Sequence, residues 1–176
     1  MTRSRFEDEH DILRLSHKYA VALDTGNADL LREVFWEDSS WSTSELAGSR
    51  GHKEILQLPA RLAAAFSQTH HAIQPQHCEV SDTSAVGVTY CFAYHFTKQD
   101  FITPGRGTID LSYNQMIRYD DRYEFRSGEW KILTRHLNVM FRRLEPVLPY
   151  ALADRPAPEA SVPEAESLLP KEQRSR

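Results

Sequence analysis

Cysteine is almost missing from this chain: only Cys78 and Cys91 occur among its 176 residues, and they form no CxxC pair. That excludes a disulfide scaffold or a zinc ribbon, and a reducing, cytoplasmic setting is expected. No apolar run approaches the ~18 residues of a membrane span. The opening MTRSRFEDEH has no apolar h-region, so no secretory signal is expected. A basic excess is missing too: 21 Lys and Arg against 25 Asp and Glu give a net charge of −4. A weakly acidic chain lacks the electrostatic footprint of a nucleic-acid binder. GxGxxG, GxxxxGK[ST] and GxSxG are absent, so nucleotide binding and α/β-hydrolase chemistry have no motif support. HxH and HExxH are absent as well, and no serine stands out as a nucleophile.

What is present is ordinary for a globular protein: 26% charged and 40% hydrophobic residues. Composition changes at Pro146. Residues 146–176 hold six of the nine prolines, with Tyr150 their only aromatic residue. The reading is one folded domain over 1–145 and a C-terminal tail over 146–176. Such a tail buries too little apolar area to offset its ordering entropy, so a disordered or loosely draped segment is expected, from about 152 onward. A lid or a partner-docking arm is the functional alternative.

Helices come first. Ile12, Leu15, Tyr19 and Ala22 fall at helical spacing between Arg5 and Leu23. Gly26 can stop that helix, and Asn27 can cap the next, over Ala28–Trp36. A third is expected over Gly51–Ser67, with Pro59 kinking it or splitting off its first turn. Strands follow at about 38–43, 74–82, 84–99, 107–123 and 129–143. Asp82-Thr83-Ser84 and Arg126-Ser127-Gly128 read as turns. Helices followed by strands predict an α+β fold, with helices on one face of an antiparallel sheet.

The strand at 89–96 is two-faced. Tyr90, Phe92, Tyr94 and Phe96 share one side; Thr89, Cys91, Ala93 and His95 share the other. Small residues beneath helices either leave a pocket or let a helix pack closely. The aromatic face is too apolar for water and predicts a second layer or a subunit partner.

Few residues could carry chemistry. Asp24 sits at the unfavourable, negative end of the first helix dipole, so it is either a turn residue or a compensated functional carboxylate. His70 and His71 are adjacent at a strand entrance, so at most one faces a pocket. A lone histidine there is often structural. Asp24 with His70 would form a dyad: the carboxylate fixes the ring's tautomer, leaving the other nitrogen as a base. Tyr19, nearly one and a half turns before Asp24, does not share its face on an ideal helix, though both could reach a cavity under the helix end. Its hydroxyl could polarise a carbonyl or protonate a leaving hydroxyl, or its ring could simply edge the core. A metal site at Asp24, His70 and His95 lacks supporting spacing. Arg135 could pair with an anionic substrate group or lie on the surface.

With these residues in view, the chain resembles the SnoaL-like branch of the nuclear transport factor 2-like superfamily, which includes scytalone dehydratase, bile acid 7α-dehydratase and hexachlorocyclohexane dehydrochlorinase. The markers are YAVALDTGNADLLREVFWEDSSW, GHKEI, THHAIQ and RYDDRYEFRSGEWKILTR, in that order across about residues 8–142. The resemblance implies a cone-shaped, strongly curved sheet around three helices, an internal pocket, and a homodimer or homotrimer through the aromatic sheet face. It implies catalytic roles for Asp24, His70, Tyr19 and His95, and substrate contacts for Trp41, Arg135 and Tyr119, with Cys91 on the small-residue pocket face. Gln74 stands where the family usually has asparagine. Tyr19 replaces the dehydrochlorinase lysine, which favours a dehydratase pattern. Tyr119 stands at the position of scytalone dehydratase's pocket asparagine.

The expected activity is a cofactor-free acid/base lyase or isomerase acting on a cyclic, largely apolar, carbonyl-bearing small molecule. Polyketide ring closure or double-bond isomerisation could use the same dyad. A non-catalytic ligand-binding or subunit-pairing module is the alternative from another class.

Overall fold

The computed structural model describes residues 3–97, 101–103 and 107–147. The segment expected to be disordered, from about 152, lies outside them; of the tail 146–176 only Pro146 and Val147 are described. Helix α1 (Arg5–Asp24) begins at a capping box: the Ser4 hydroxyl accepts from Glu7 N–H while the Glu7 carboxylate accepts from Ser4 N–H. Such a cap contributes about 1 kcal/mol. Ile12, Leu15, Tyr19, Ala22 and Leu23 line its buried face, as the periodicity predicts. Gly26, at φ +72°, turns the chain where a side chain would be strained. Asn27 then caps α2 (Ala28–Arg32) through Leu30 N–H.

Some boundaries differ from the sequence reading, while the break at Pro59 is one it foresaw. Phe35 and Trp36 leave the second helix and open β1 (Phe35–Thr43), because Phe35 pairs with Ile132. An unforeseen strand, β2 (Leu46–Gly51), pairs antiparallel with β1. The expected third helix splits at Pro59 into α3 (His52–Ile55) and α4 (Leu58–Ala65), with the proline in the first turn of α4, where its missing N–H costs nothing. Strand β3 (Phe66–Ser81) then starts eight residues before the expected position.

The remaining strands are β4 (Ser84–Thr97), β5 (Phe101–Thr103), β6 (Gly107–Arg126) and β7 (Glu129–Val147). The sheet order is β2-β1-β7-β6-β4-β3, with β5 beside β6. Among the described strands, only β1 and β7 pair in parallel. Asp82 and Ser127, both at positive φ, occupy the two foreseen turns. This is the α+β architecture of the sequence reading: N-terminal helices against one face of a curved, mostly antiparallel sheet.

The two faces of β4 separate as expected. Ala85, Thr89, Cys91, Ala93 and His95 are buried beneath the helices. Tyr90, Phe92, Tyr94 and Phe96 form the half-buried outer ladder. Phe141 packs edge-on against Phe92 there, and Met140 and Phe141 are about half exposed beside it. The face expected to meet a subunit partner is therefore this outer one. No described helix is long and apolar enough to cross a membrane.

Candidate active site

Asp24 ends α1, where the dipole disfavours a carboxylate. Three donors compensate it. Thr69 Oγ1 donates to Oδ1 at 2.9 Å, the His71 backbone N–H donates to Oδ2 at 2.8 Å, and His71 Nδ1 lies 2.6 Å from Oδ1. A carboxylate oxygen only accepts, so Nδ1 carries the proton, and on the neutral form of the ring the lone pair is left on Nε2. Burial would raise the Asp24 pKa, but the bonds and charge of His71, with Thr69, outweigh it and hold the carboxyl below its ordinary value.

The partner of Asp24 is His71, and this corrects the expected Asp24–His70 pair. The pairing of β3 with β4, which shifts register between Phe66 and Gln68, fixes the faces. Thr69 and His71 pair with the inward residues His95 and Ala93, while His70 pairs with outward Tyr94. The His71 side chain is 4% exposed and that of His70 64%. His70 stacks on Tyr94 outside the sheet, its Nδ1 3.8 Å from Asp24 Oδ2, beyond hydrogen-bond range.

His95 joins this cluster. Its ring meets that of His71 edge-on at 5.5 Å, with Phe66 at 4.7 Å and Tyr113 at 6.1 Å. His95 Nδ1 lies 3.1 Å from the Tyr113 carbonyl, which can only accept, so this ring also carries its proton on Nδ1. Burial, then the charge of His71, lowers the His95 pKa to about 4. The folded chain therefore refuses a proton that the unfolded chain takes up below the ordinary value of 6.5. The resulting stability is complete above that value and is lost as pH falls toward 4. His95→Gln should flatten this acid-side decline in denaturant unfolding. A His95 ring titrating near 6.5 by NMR would contradict the assignment.

A second cluster lies further along the inner face. Arg135, buried to 1% exposure, donates through Nε and Nη2 to the two oxygens of Asp121, at 2.8 and 2.7 Å. Its guanidinium carbon sits 4.3 Å from the ring centres of both Tyr19 and Tyr119. Burial alone would discharge Arg135; the charge and hydrogen bonds of Asp121 outweigh it and keep it protonated. Burial pushes the Tyr19 phenol up, and the charge of Arg135 offsets this only in part, so Tyr19 stays a donor. Burial also pushes the Cys91 thiol up to about 12, which makes it a poor nucleophile. The charges of both Asp24 and Arg135 act on the Cys91 thiol.

The structure therefore brings Asp24 together with His95, and Tyr19 together with Tyr119, Arg135 and Cys91. It places His70 outside. Trp41 sits beside Arg135 on the neighbouring strand and packs at the edge of the core. The sequence reading missed His71 as the partner, Thr69 as a second donor and Asp121. A buried arginine needs a carboxylate, and inward parity on β6 would have pointed to Asp121. Among the described residues, no cluster of three or more His, Cys, Asp or Glu could hold a metal ion.

Solved structures share this arrangement of elements. The Kribbella flavida protein Kfla4162 superposes with a TM-score of 0.69 at 18% identity, covering 80% of this chain and 95% of that one. A scytalone dehydratase-like protein from Novosphingobium aromaticivorans gives 0.68 at 20% identity, covering 88% and 100%. The hexachlorocyclohexane dehydrochlorinase LinA-type3 from Novosphingobium barchaimii gives 0.61 at 19% identity, covering 81% and 92%. At such identities these likenesses concern the fold. No functionally curated protein matches the chain significantly in sequence. The SnoaL-like domain profile matches residues 4–136, spanning both polar clusters up to Arg135, and the chain belongs to that family.

Proposed function

We propose that this protein is an acid/base lyase or isomerase acting on a cyclic, carbonyl-bearing small molecule, with dehydratase-type elimination as its reaction. The observation that carries this reading is the Asp24–His71 pair, whose 2.6 Å bond uses Nδ1 and leaves Nε2 outside it. His71 Nε2 takes a proton from the carbon alpha to the carbonyl, and the electron pair moves into an enolate. Tyr19 donates to the developing oxyanion, stabilising charge that is greatest in the transition state. Collapse of the enolate expels the beta hydroxyl. The His71 imidazolium delivers its proton to that leaving group, so the products are water and a conjugated carbonyl compound.

His95 takes a different role from the expected proton donor. With its proton committed to Tyr113 and a pKa of about 4, it offers a lone pair near neutral pH. It would accept a hydrogen bond from the substrate hydroxyl and orient it. Returning the His71 proton to another carbon would give isomerisation instead.

The test is a panel of cyclic β-hydroxy ketones in deuterated water, followed by NMR. Deuterium at the alpha carbon, together with enone formation, supports the reading. Binding without exchange favours a non-catalytic module.

A further inference from the structure

The Arg135 guanidinium is only partly used. Asp121 occupies its Nε/Nη2 edge, and the rings of Tyr19 and Tyr119, themselves 5.7 Å apart, both pack against the guanidinium. Nη1, at the opposite end of the planar fork, is buried and has no hydrogen-bond partner of normal geometry among the described residues. A buried, unpartnered donor on a charged group is costly, and native proteins seldom leave one without a reason.

The charge of the group is already compensated. Asp121 lies at hydrogen-bond distance on two atoms, and both phenol rings turn their electron-rich faces to the cation. Asp121 is itself fixed: Tyr123 Oη donates to its Oδ2 at 2.8 Å, and Gln76 Nε2 donates to Tyr123 Oη at 3.1 Å and to Ser16 Oγ at 3.0 Å. This chain of bonds holds the fork in one orientation. An incoming carboxylate would lose its hydration and meet a net-neutral pair. A neutral carbonyl oxygen loses less on entry, and gains from Nη1 as negative charge develops on it.

We infer that Asp121 is a positioning residue that makes Arg135 select a charge-neutral carbonyl oxygen, and reject a preformed carboxylate, as the substrate's acceptor group. This deepens the proposed reaction and rests on the inner face being a substrate site. It replaces the expectation that Arg135 pairs with an anionic group.

The probes are 2-naphthol, which mimics an enol, and 2-naphthoate, a preformed anion of similar size, titrated into the full chain at neutral pH. The readouts are affinity and the Arg135 side-chain NMR resonances. The wild type should favour 2-naphthol by about tenfold or more, with the Arg135 signals moving. His71→Ala should keep that preference, whereas Asp121→Asn, which uncovers the arginine's charge, should reverse it. A variant weakened only in its packing would lose both ligands alike, which would overturn the positioning role. If Asp121→Asn fails to fold, the wild-type comparison decides. Equal or tighter binding of 2-naphthoate by the wild type overturns the inference and leaves the Asp24–His71 base standing. If neither ligand moves the Arg135 or His71 signals, the inference and the substrate-site reading both fall.

Discussion

His71→Ala should lower alpha-proton exchange by about 10²–10⁴-fold, the usual contribution of a positioned general base. His70→Ala, one residue away, should leave it nearly unchanged. The contrast follows from strand parity. His71 is inside and bonded to Asp24, while His70 is largely exposed and stacked on Tyr94. The fold should survive the His71 change. Asp24 would lose its ring donor but keep Thr69 Oγ1 and the backbone N–H of residue 71. Exchange rates and far-ultraviolet circular dichroism on both variants check this. Equal losses in the two variants would sink the assignment of the base to His71.

The largest effect on stability should come from Asp121→Ala. Removing one partner of a buried ion pair typically costs about 3–5 kcal/mol, because the other charge is left uncompensated. Arg135 would then stand among Tyr19, Tyr119 and Phe35 without its carboxylate, and Tyr123 would lose the acceptor for its hydroxyl. For a chain of this size the loss should appear as a fall in Tm on the order of 10 °C. Arg135→Met in the Asp121→Ala background should recover part of it, since replacing both charges removes the unpaired one. A double variant no more stable than the single would mean that the charge imbalance is not the cause.

Much of this site was legible in the sequence where local chemistry decided the outcome. The period-two pattern of 89–96 separated the inner face from the aromatic one without any partner strand in view. Gly26 and Asn27 marked the break between the first two helices, because a left-handed turn and a side-chain cap are local requirements. The unfavourable place of Asp24 on its helix correctly required compensating donors. Which histidine supplied them was not local. It depended on β3 pairing with β4 from Phe66 onward and on the register shift between Phe66 and Gln68, both set by residues more than 25 positions later in the chain. Without that pairing, residues 60–67 read as helix, and the parity of His70 and His71 was undetermined. Phe35 shows the same limit, since helical spacing gave way to a parallel pairing with Ile132. Asp121 was hidden in the run RYDDRYEF, which resembles a solvated strand until Arg135 is placed opposite it.

Asp24 binds His71 at Nδ1 and so directs Nε2 of the neutral ring to act as the base. Long-range proton–nitrogen NMR of the His71 ring at pH 8, in the wild type and in Asp24→Asn, tests it without a substrate. The account predicts a proton on Nδ1 and a lone pair on Nε2 in the wild type, with that tautomer bias weakened in the variant. A wild-type ring protonated on Nε2, or spectra identical in the two proteins, would contradict it.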